Sequence, residues 1–334
     1  VPELIAMFRS FADVVMPEDL RAYVKVPALS TGARQIVTAK PSAAFKRYQM
    51  VLDARIKAIE ERDRPAEPGD DILLSVITDG RHAAIDLRLV DPDNDNEPDN
   101  KLNALIGNAF RIWQETAQSS YVRADGKPFE LAGAAQMMFS DLGTIGVEKS
   151  RGFSAYRWIR DELVRRGVPA SEIAFIQDFK KAQAKQRLFG EVRAGKVRFL
   201  IGSSDTMGTG VNAQLRLKAL HHLDVPWLPS QIEQREGRIL RQGNQHDVID
   251  IFAYATEGSM DAQMWQNNER KARFIAAALS GDTSIRRLED IGEGQANQFA
   301  MAKAIASGDP RLMQKAGLEA DIARLERLRE AHID

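Results

Sequence analysis

Two arginines three positions apart, Arg238 and Arg241, have the side-chain type and spacing that best fit a chemical role in this sequence. If the segment is helical, a spacing of three places both guanidinium groups on one face. Such a pair, next to Gln234 and Gly237, suits a site where arginines reach the oxygens of a phosphoryl group during its transfer. An isolated arginine pair is more often a solvated helix surface. The segments that precede the pair therefore decide between these two interpretations.

The sequence upstream of the arginines predicts a buried strand that enters a tight loop. The apolar run 199–202 is typical of a parallel strand, and small hydroxyl residues and closely spaced glycines follow it. A glycine-rich turn alone is weak support for function, because glycine occurs in any tight turn. Here a second apolar run, 217–223, and then the arginine segment come after it. The loop residues that could approach a phosphate or a sugar are Ser203, Ser204, Gly208, Gly210 and Asn212.

The order of these segments resembles the second RecA-like motor domain of superfamily 2 helicases and translocases, especially the Snf-type and Strawberry-notch-type branches. Residues 203–212 are similar to motif V of that family, residues 234–241 to motif VI, and residues 139–141 to motif IV. The similarity extends over roughly residues 100–270. The overall pattern also resembles very large helicase and methyltransferase fusions carried by plasmids and phages, although this chain has no methyltransferase motif.

The resemblance implies a role for each residue at a matching position. Arg238 and Arg241 would be two arginine fingers, which stabilise charge on the transferred γ-phosphate of ATP. The residues implied in ATP binding are Gln234, Gly237, Gly208, Gly210 and Asn212. The hydroxyl residues implied in contacts with the DNA backbone are Ser140, Ser203 and Ser204. The implied cofactor is ATP with Mg²⁺, and the implied partner is DNA, double or single stranded.

The half of such a motor that grips ATP is not found in this sequence. A superfamily 2 ATPase needs a phosphate loop of the Gly-x-x-x-x-Gly-Lys-Ser/Thr kind and an acidic pair that holds magnesium. Acidic residues precede an apolar run at 69–74, but no loop lysine accompanies them, and the chain begins at Val1 without a methionine. We therefore expect a fragment that works with the first RecA-like lobe of the same protein. Alone, it is expected neither to bind ATP tightly nor to hydrolyse it.

The composition indicates a globular chain and excludes few functions. The 334 residues are 44% hydrophobic and can bury a sizeable core. The net charge of −1 gives no general signature of nucleic-acid binding, so DNA contact would need a local groove. The absence of cysteine excludes disulfides and thiolate metal sites and fits a cytoplasmic protein. No apolar run approaches the ~20 residues of a membrane span, so we expect no membrane partner.

Alternating apolar runs and amphipathic segments predict an α/β fold, with a RecA-like parallel sheet, helices on both faces and helical segments at both ends. Three parts are expected: a mostly helical segment at 1–98, forming the end of the first lobe and a brace, the RecA-like domain at 99–270, and a helical tail at 271–334. Loops at the carboxyl ends of the strands should carry the function. The predicted strands are 135–140, 173–176, 197–201, 217–223 and 248–254, and the predicted helices are 102–113, 156–166 and 182–192.

An acidic loop invites comparison with a calcium site. Asp91, Asp93 and Asp95 alternate as calcium ligands would, but Asn96 and Leu102 occupy the positions where a calcium loop needs glycine and glutamate. We predict no metal site there and prefer a solvated loop that precedes a helix.

Three ring-bearing residues have structural interpretations that we prefer to functional ones. His221 and His222 lie in an apolar run and are expected to be hydrogen-bonded core residues rather than ligands. Trp227 could stack on a base, as aromatic rings do on single strands, but packing against the sheet edge is favoured.

Two functions of other classes stay open from the sequence. A RecA-like scaffold that has lost catalysis could bind a protein partner, although two retained finger arginines argue against it. A nucleotide-sugar or dinucleotide enzyme could use a similar sheet, but the Gly-x-Gly-x-x-Gly turn after a first strand is missing. The motor-domain hypothesis therefore ranks first.

Overall fold

Seven parallel strands form one sheet in the part of the chain that the structure, a computed structural model, describes: residues 7, 10–12, 23–207 and 212–280. The strands are β1 (Ala28–Leu29), β2 (Gln35–Ala39), β3 (Ala135–Phe139), β4 (Ile173–Phe175), β5 (Phe199–Gly202), β6 (Leu217–His222) and β7 (Val248–Thr256). Their order across the sheet is β1-β7-β6-β3-β5-β4, and β2 also pairs with β7. Every pair of these strands is parallel.

Nine helices in the described residues connect and cover these strands. They are α1 (Ala43–Glu60), α2 (Leu73–Ile85), α3 (Lys101–Glu115), α4 (Glu148–Arg151), α5 (Ala155–Arg165), α6 (Ala182–Ala194), α7 (Ser204–Met207), α8 (Pro229–Glu236) and α9 (Met260–Ser280). Short 3-10 helices lie at Leu87–Leu89, Ile145–Val147, Ala170–Glu172, Ile176–Asp178 and Gln214–Arg216. None of these described helices is long and apolar enough to cross a membrane.

Each face of the sheet has its own apolar core, because successive residues of a strand point to opposite faces. Met138 and Ile201 pack with buried residues of α3 and α5 on one face. Met137 and Leu200 pack with buried residues of α6 on the other face. Strands buried on both sides are typical of a parallel sheet covered by helices. The predicted fold class, an α/β fold with a RecA-like parallel sheet and helices on both faces, is confirmed.

A third apolar cluster joins the amino-terminal helices to the carboxyl-terminal part of the described chain. Leu52 and Ile56 of α1 and Val76 of α2 pack with Met264 and Trp265 of α9. The same cluster includes residues of β7. The described helices α1 and α2 therefore pack beside β7.

Two strands within the predicted segment 1–98 are not expected from the sequence. β1 and β2 add to the outer edge of β7, with Ala28 beside Val248 and Gln35 beside Phe252. Two residues are too few for a periodic signal in β1, and β2 is only partly buried, so its hydrophobic pattern is weak. At the other end, α9 runs through the boundary predicted after residue 270, and residues 281–334 of the predicted tail lie outside the described residues. The three-part division itself stays a prediction.

The acidic loop 91–100 precedes α3 without helix or strand of its own. Asn100 caps the helix, because its side-chain oxygen accepts from the amide of Asn103 over 2.9 Å. Within the described ranges, no group of three or more histidine, aspartate or glutamate side chains could hold a metal ion.

His221 in β6 is a hydrogen-bonded core residue, as expected. It is fully buried, with Nδ1 at 2.9 Å from Tyr254 Oη and Nε2 at 2.9 Å from Gln136 Oε1. The side-chain amide of Gln136 donates to the Ala109 carbonyl, so its oxygen accepts from the Nε2–H of His221. Nδ1 then accepts from the hydroxyl of Tyr254, and the ring is neutral.

We expect acid to destabilise the protein through His221. Burial lowers the pKa of His221 to about 3, whereas an exposed histidine in the unfolded chain titrates near ~6.5. Between these values only the unfolded chain binds the proton, so the free energy of unfolding falls by up to ~1.4 kcal/mol per pH unit as the pH decreases. Urea unfolding across about pH 4.5 to 7.5 measures this slope. The His221→Gln variant lacks this proton uptake, so its free energy of unfolding should depend less steeply on pH, by up to ~1.4 kcal/mol per pH unit. An equal slope in both proteins would contradict the prediction.

Candidate functional site

The carboxyl ends of β3, β5 and β6 meet at one edge of the sheet. Phe139 pairs with Gly202 on one side and with His222 on the other. The segments that follow these strands therefore lie side by side, and they include the sequences that resemble motifs IV and V. α7 packs against α8 at this edge, so the arginine segment is brought to the same place.

Arg235 links the segments at this edge of the sheet. The sequence does not predict this role. The side chain of Arg235 is buried, and Nη2 lies 2.9 Å from Asp141 Oδ2 and 3.0 Å from Asp224 Oδ1. Its Nε donates to the hydroxyl of Ser204 over 2.8 Å. Ser204 in turn donates to the two carboxylate oxygens of Asp141 through its amide and its hydroxyl. Arg235 thus joins α8 to residues that follow β3, β5 and β6.

Two acidic residues in the sequence carry the signal that could have revealed this cluster. Asp141 and Asp224 each come shortly after an apolar strand, where a buried carboxylate needs a cation. Burial raises the pKa of Asp141, and the neighbouring charge of Asp224 raises it further. Burial also opposes ionisation of Asp224, but Arg235 and Arg81 outweigh it and lower the pKa. The neighbouring arginines therefore favour the ionised form of Asp224, whereas burial and the charge of Asp224 disfavour the ionised form of Asp141.

The helix that carries the arginine segment is shorter than the spacing of the arginines suggests. α8 ends at Glu236 with Gly237 as its carboxyl cap, so Arg238 and Arg241 lie in the turn that follows. The two arginines therefore do not share one face of a helix, as the sequence suggested. They lie instead in the same turn. Burial lowers the pKa of Arg238, and the nearby charge of Arg241 lowers it further. Two guanidinium groups whose charges disfavour each other in this way favour an anion such as phosphate beside them.

We call residues 237–243 the arginine turn. Hydrogen bonds of its backbone and burial of one side chain fix its position. The carbonyl of Glu236 accepts from the amides of Ile239 and Leu240, at 3.0 and 2.9 Å. Ile239 is fully buried in the core on the α6 face of the sheet. Arg241 is exposed and Arg238 is partly buried. The backbone that carries both arginines is therefore held in a fixed position.

The residues implied in ATP binding divide into two groups. Three of them are exposed: Gln234, Gly237 and Asn212. The other two lie outside the described residues: Gly208 and Gly210.

Two of the three hydroxyl residues implied in DNA contacts face the protein interior. Ser140 is buried and donates to the carbonyl of Leu142 over 2.8 Å. Ser204 is buried in the Arg235 cluster, where an acidic side chain is its acceptor. Both hydroxyls are therefore engaged in holding the strand ends, and the structure does not present them to DNA. Ser203 is only partly buried.

Trp227 is half-exposed, which differs from the expected packing against the sheet edge. Its exposed fraction is 43%. The guanidinium carbon of Arg81 lies 4.8 Å from the ring centre, and Arg81 also donates to the carbonyl of Val225 over 2.8 Å. Arg81 of α2 therefore lies over the Trp227 ring, where its positive charge is attracted to the π face.

Comparison with known proteins finds a helicase segment within the chain. The helicase conserved C-terminal domain family matches residues 154–243, which run from α5 to the arginine turn. "Defense against restriction protein B" of Escherichia phage P1 is 32% identical over 94 residues, which are 28% of this chain and 4% of the phage protein. The uncharacterised ATP-dependent helicase YqhH of Bacillus subtilis is 33% identical over 113 residues, which are 33% of this chain and 19% of that protein. The chain thus spans a small part of the curated relatives that it matches.

Two solved structures are similar in part, at low sequence identity. The Sulfolobus solfataricus SWI2/SNF2 ATPase core in complex with dsDNA has a TM-score of 0.49 and 14% identity, over 77% of this chain and 48% of that chain. The C-terminal part of the Fun30 ATPase domain has a TM-score of 0.45 and 14% identity, over 72% of this chain and 89% of that chain. The family match supports a segment similar to a helicase conserved C-terminal domain at residues 154–243, and this segment lies within the parallel sheet.

Proposed function

We propose that this chain is the second motor domain of a DNA-dependent ATPase, either a helicase or a translocase. The first RecA-like lobe would belong to the same protein, and ATP with Mg²⁺ would lie between the two lobes. Arg238 and Arg241 would reach the γ-phosphate from this side and stabilise the charge that develops during its transfer.

The arginine turn is the observation that carries the proposal. Its two guanidinium groups lie close enough for one to lower the pKa of the other, in the turn that follows a helix joined by Arg235 to the carboxyl ends of parallel strands. The buried Arg235 precedes the pair, and the buried Ile239 lies between its members, so the chain is anchored before and between the two arginines. A rigid pair of like charges is stabilised when an anion binds beside it, and it needs no reorganisation when charge develops there.

We also infer that the DNA backbone runs along the same edge. Ser203 begins the loop that resembles motif V and is only partly buried. Trp227 is half-exposed at 43% and could stack on a base. With a net charge of −1, the chain would bind DNA through a local track rather than a broad basic surface.

The finer family assignment is part of the proposal. The resemblance is to Snf-type and Strawberry-notch-type motors in large plasmid- or phage-borne proteins, where a methyltransferase domain would be adjacent. The phage relative supports a large parent protein, because the matched segment is 28% of this chain but only 4% of the phage protein.

ATPase assays on this chain and on the protein extended to include the first lobe, each with and without DNA, test the proposal. We expect DNA-stimulated hydrolysis only in the extended protein, because that protein alone would hold the phosphate loop. Fluorescence anisotropy with labelled duplex and single-stranded DNA measures binding in parallel, and the affinity should fall as salt increases. Absence of ATPase activity and of DNA binding from both proteins would favour the silent scaffold instead.

A further inference from the structure

One arginine from the amino-terminal part of the sheet reaches the helix that carries the arginine turn. Arg34 lies between β1 and β2, in a segment that we call the amino-terminal strap, residues 28–39. Its Nε lies 2.6 Å from Oε1 of Glu236, the last residue of α8. Its guanidinium carbon lies 5.0 Å from the ring centre of Trp265. Arg34 therefore connects the strap to the end of α8.

Glu236 is the junction between this contact and the arginine turn. Its Oε1 also lies 3.1 Å from Nε2 of His222, at the end of β6. Its backbone carbonyl accepts from the amides of Ile239 and Leu240. A displacement of Glu236 therefore moves the backbone on which the arginine pair is mounted.

The charges around Glu236 show which group balances its carboxylate. Burial opposes ionisation of Glu236, but His222 and Arg34 outweigh it and lower its pKa to about 2. Burial lowers the pKa of His222, so its ring is neutral and Nε2–H donates to the carboxylate. Arg34 is therefore a cation in direct contact with this partly buried carboxylate.

The strap has other attachments and does not depend on Arg34 to stay in place. Its strands pair with β7 through the backbone. The side chains of Ser30 and Gln35 donate to Asp250, which also lies on β7. These contacts all end on β7, whereas Arg34 reaches α8.

We propose that Arg34 is a positioning residue for the arginine pair and acts through Glu236. The inference rests on the proposed function, because positioning affects turnover only if Arg238 and Arg241 act on phosphate. Without Arg34, the carboxylate of Glu236 keeps His222 as its hydrogen-bond donor but loses its cation, and the turn samples a wider range of positions. Small displacements of groups that act on a transition state reduce the rate strongly.

Hydrogen exchange in this chain tests the positioning independently of ATP. In the Arg34→Met variant, the amides of Ile239 and Leu240 should exchange about tenfold faster, because their bonds to the Glu236 carbonyl open more often. The matched control is Gln35→Leu, which removes a neighbouring strap contact to β7 but leaves Glu236 held. Unchanged exchange in Arg34→Met, or an equal increase in the control, would overturn the proposal.

Steady-state kinetics of the two-lobe protein test the consequence for turnover. Arg34→Met should reduce kcat about ten- to a hundredfold and leave the KM for ATP nearly unchanged, and Arg34→Lys should restore part of the loss. Adding Glu236→Gln to Arg34→Met should cause little further loss, because both changes break the same contact. If Arg238→Ala abolishes turnover while Arg34→Met does not change kcat, this inference fails and the proposed function stands. If neither changes turnover but hydrogen exchange responds as expected, the proposed function fails and the positioning of the turn stands.

Discussion

Replacing Arg238 with alanine in the protein that contains both lobes is expected to lower ATP turnover by about 10³- to 10⁵-fold, the effect typical of an arginine finger. Arg241→Ala should act in the same direction. The physical reason is that a rigid guanidinium stabilises charge that develops only in the transition state. Binding of ATP should be largely retained, because the phosphate loop of the first lobe would supply most ground-state contacts. Single-turnover hydrolysis and equilibrium nucleotide binding, measured separately, check both statements.

Arg165→Ala is the matched control for these two variants. Arg165 is an exposed arginine at the end of α5 and forms an ion pair with Glu162 over 2.6 Å. α5 packs on one face of the sheet, whereas Ile239 of the arginine turn is buried in the core on the other face, so Arg165 lies away from the turn. Turnover in this control should equal that of the unmodified protein. If Arg238→Ala and Arg241→Ala behaved like the control, the finger assignment would fail.

The second large effect is expected on stability. Arg235→Met should lower the free energy of unfolding of this chain by about 3–5 kcal/mol, because it removes a buried cation from direct contact with two carboxylates, one of them the buried Asp224. Arg235 is 1% exposed, and Nη2 contacts both Asp141 and Asp224 within 3.0 Å. Urea unfolding followed by circular dichroism measures the change. A loss close to that of Arg165→Met, which alters an exposed arginine, would show that the cluster does not stabilise the fold.

A second substitution shows whether the loss comes from the unpaired acids. Asp141→Asn in the Arg235→Met background removes one of the two carboxylates that pair with Arg235 and should recover part of the lost free energy. The pKa of Asp141 is raised by burial and by Asp224, so its charge is the less stable of the two. No recovery in the double variant would indicate that lost packing, rather than charge, causes the destabilisation.

The central strands and helices could be predicted from the sequence because the strands are buried on both faces. The predicted strand 135–140 is observed as Ala135–Phe139, and the predicted helix 182–192 as Ala182–Ala194. Apolar runs that alternate with amphipathic segments fit a parallel sheet covered by helices. The placement of the arginine segment and of the loop after β5 near one edge follows from the same topology.

Contacts between distant segments could not be predicted in the same way. In the sequence Arg235 is one charged residue among several, since its pairing with Asp141 and Asp224 depends on strand ends that meet only in the fold. For the same reason the sequence predicts that Ser140 and Ser204 contact DNA, although both are buried at the strand ends in the fold. β2 has a weak pattern, and its place beside β7 depends on tertiary contacts rather than on periodicity.

The amino-terminal strap is synthesised well before β7, the strand with which it pairs. Ser30 of the strap donates to Asp250, which is 220 positions later in the chain. β3 to β6 pair over shorter separations and can associate on the ribosome, whereas the strap has to wait until β7 has emerged. Until then its strands have no sheet edge to join, which is when unpaired strands associate most readily with other chains. The contact between Arg34 and Glu236 therefore forms late in folding. The arginine turn acquires its fixed position only after β7 has been synthesised.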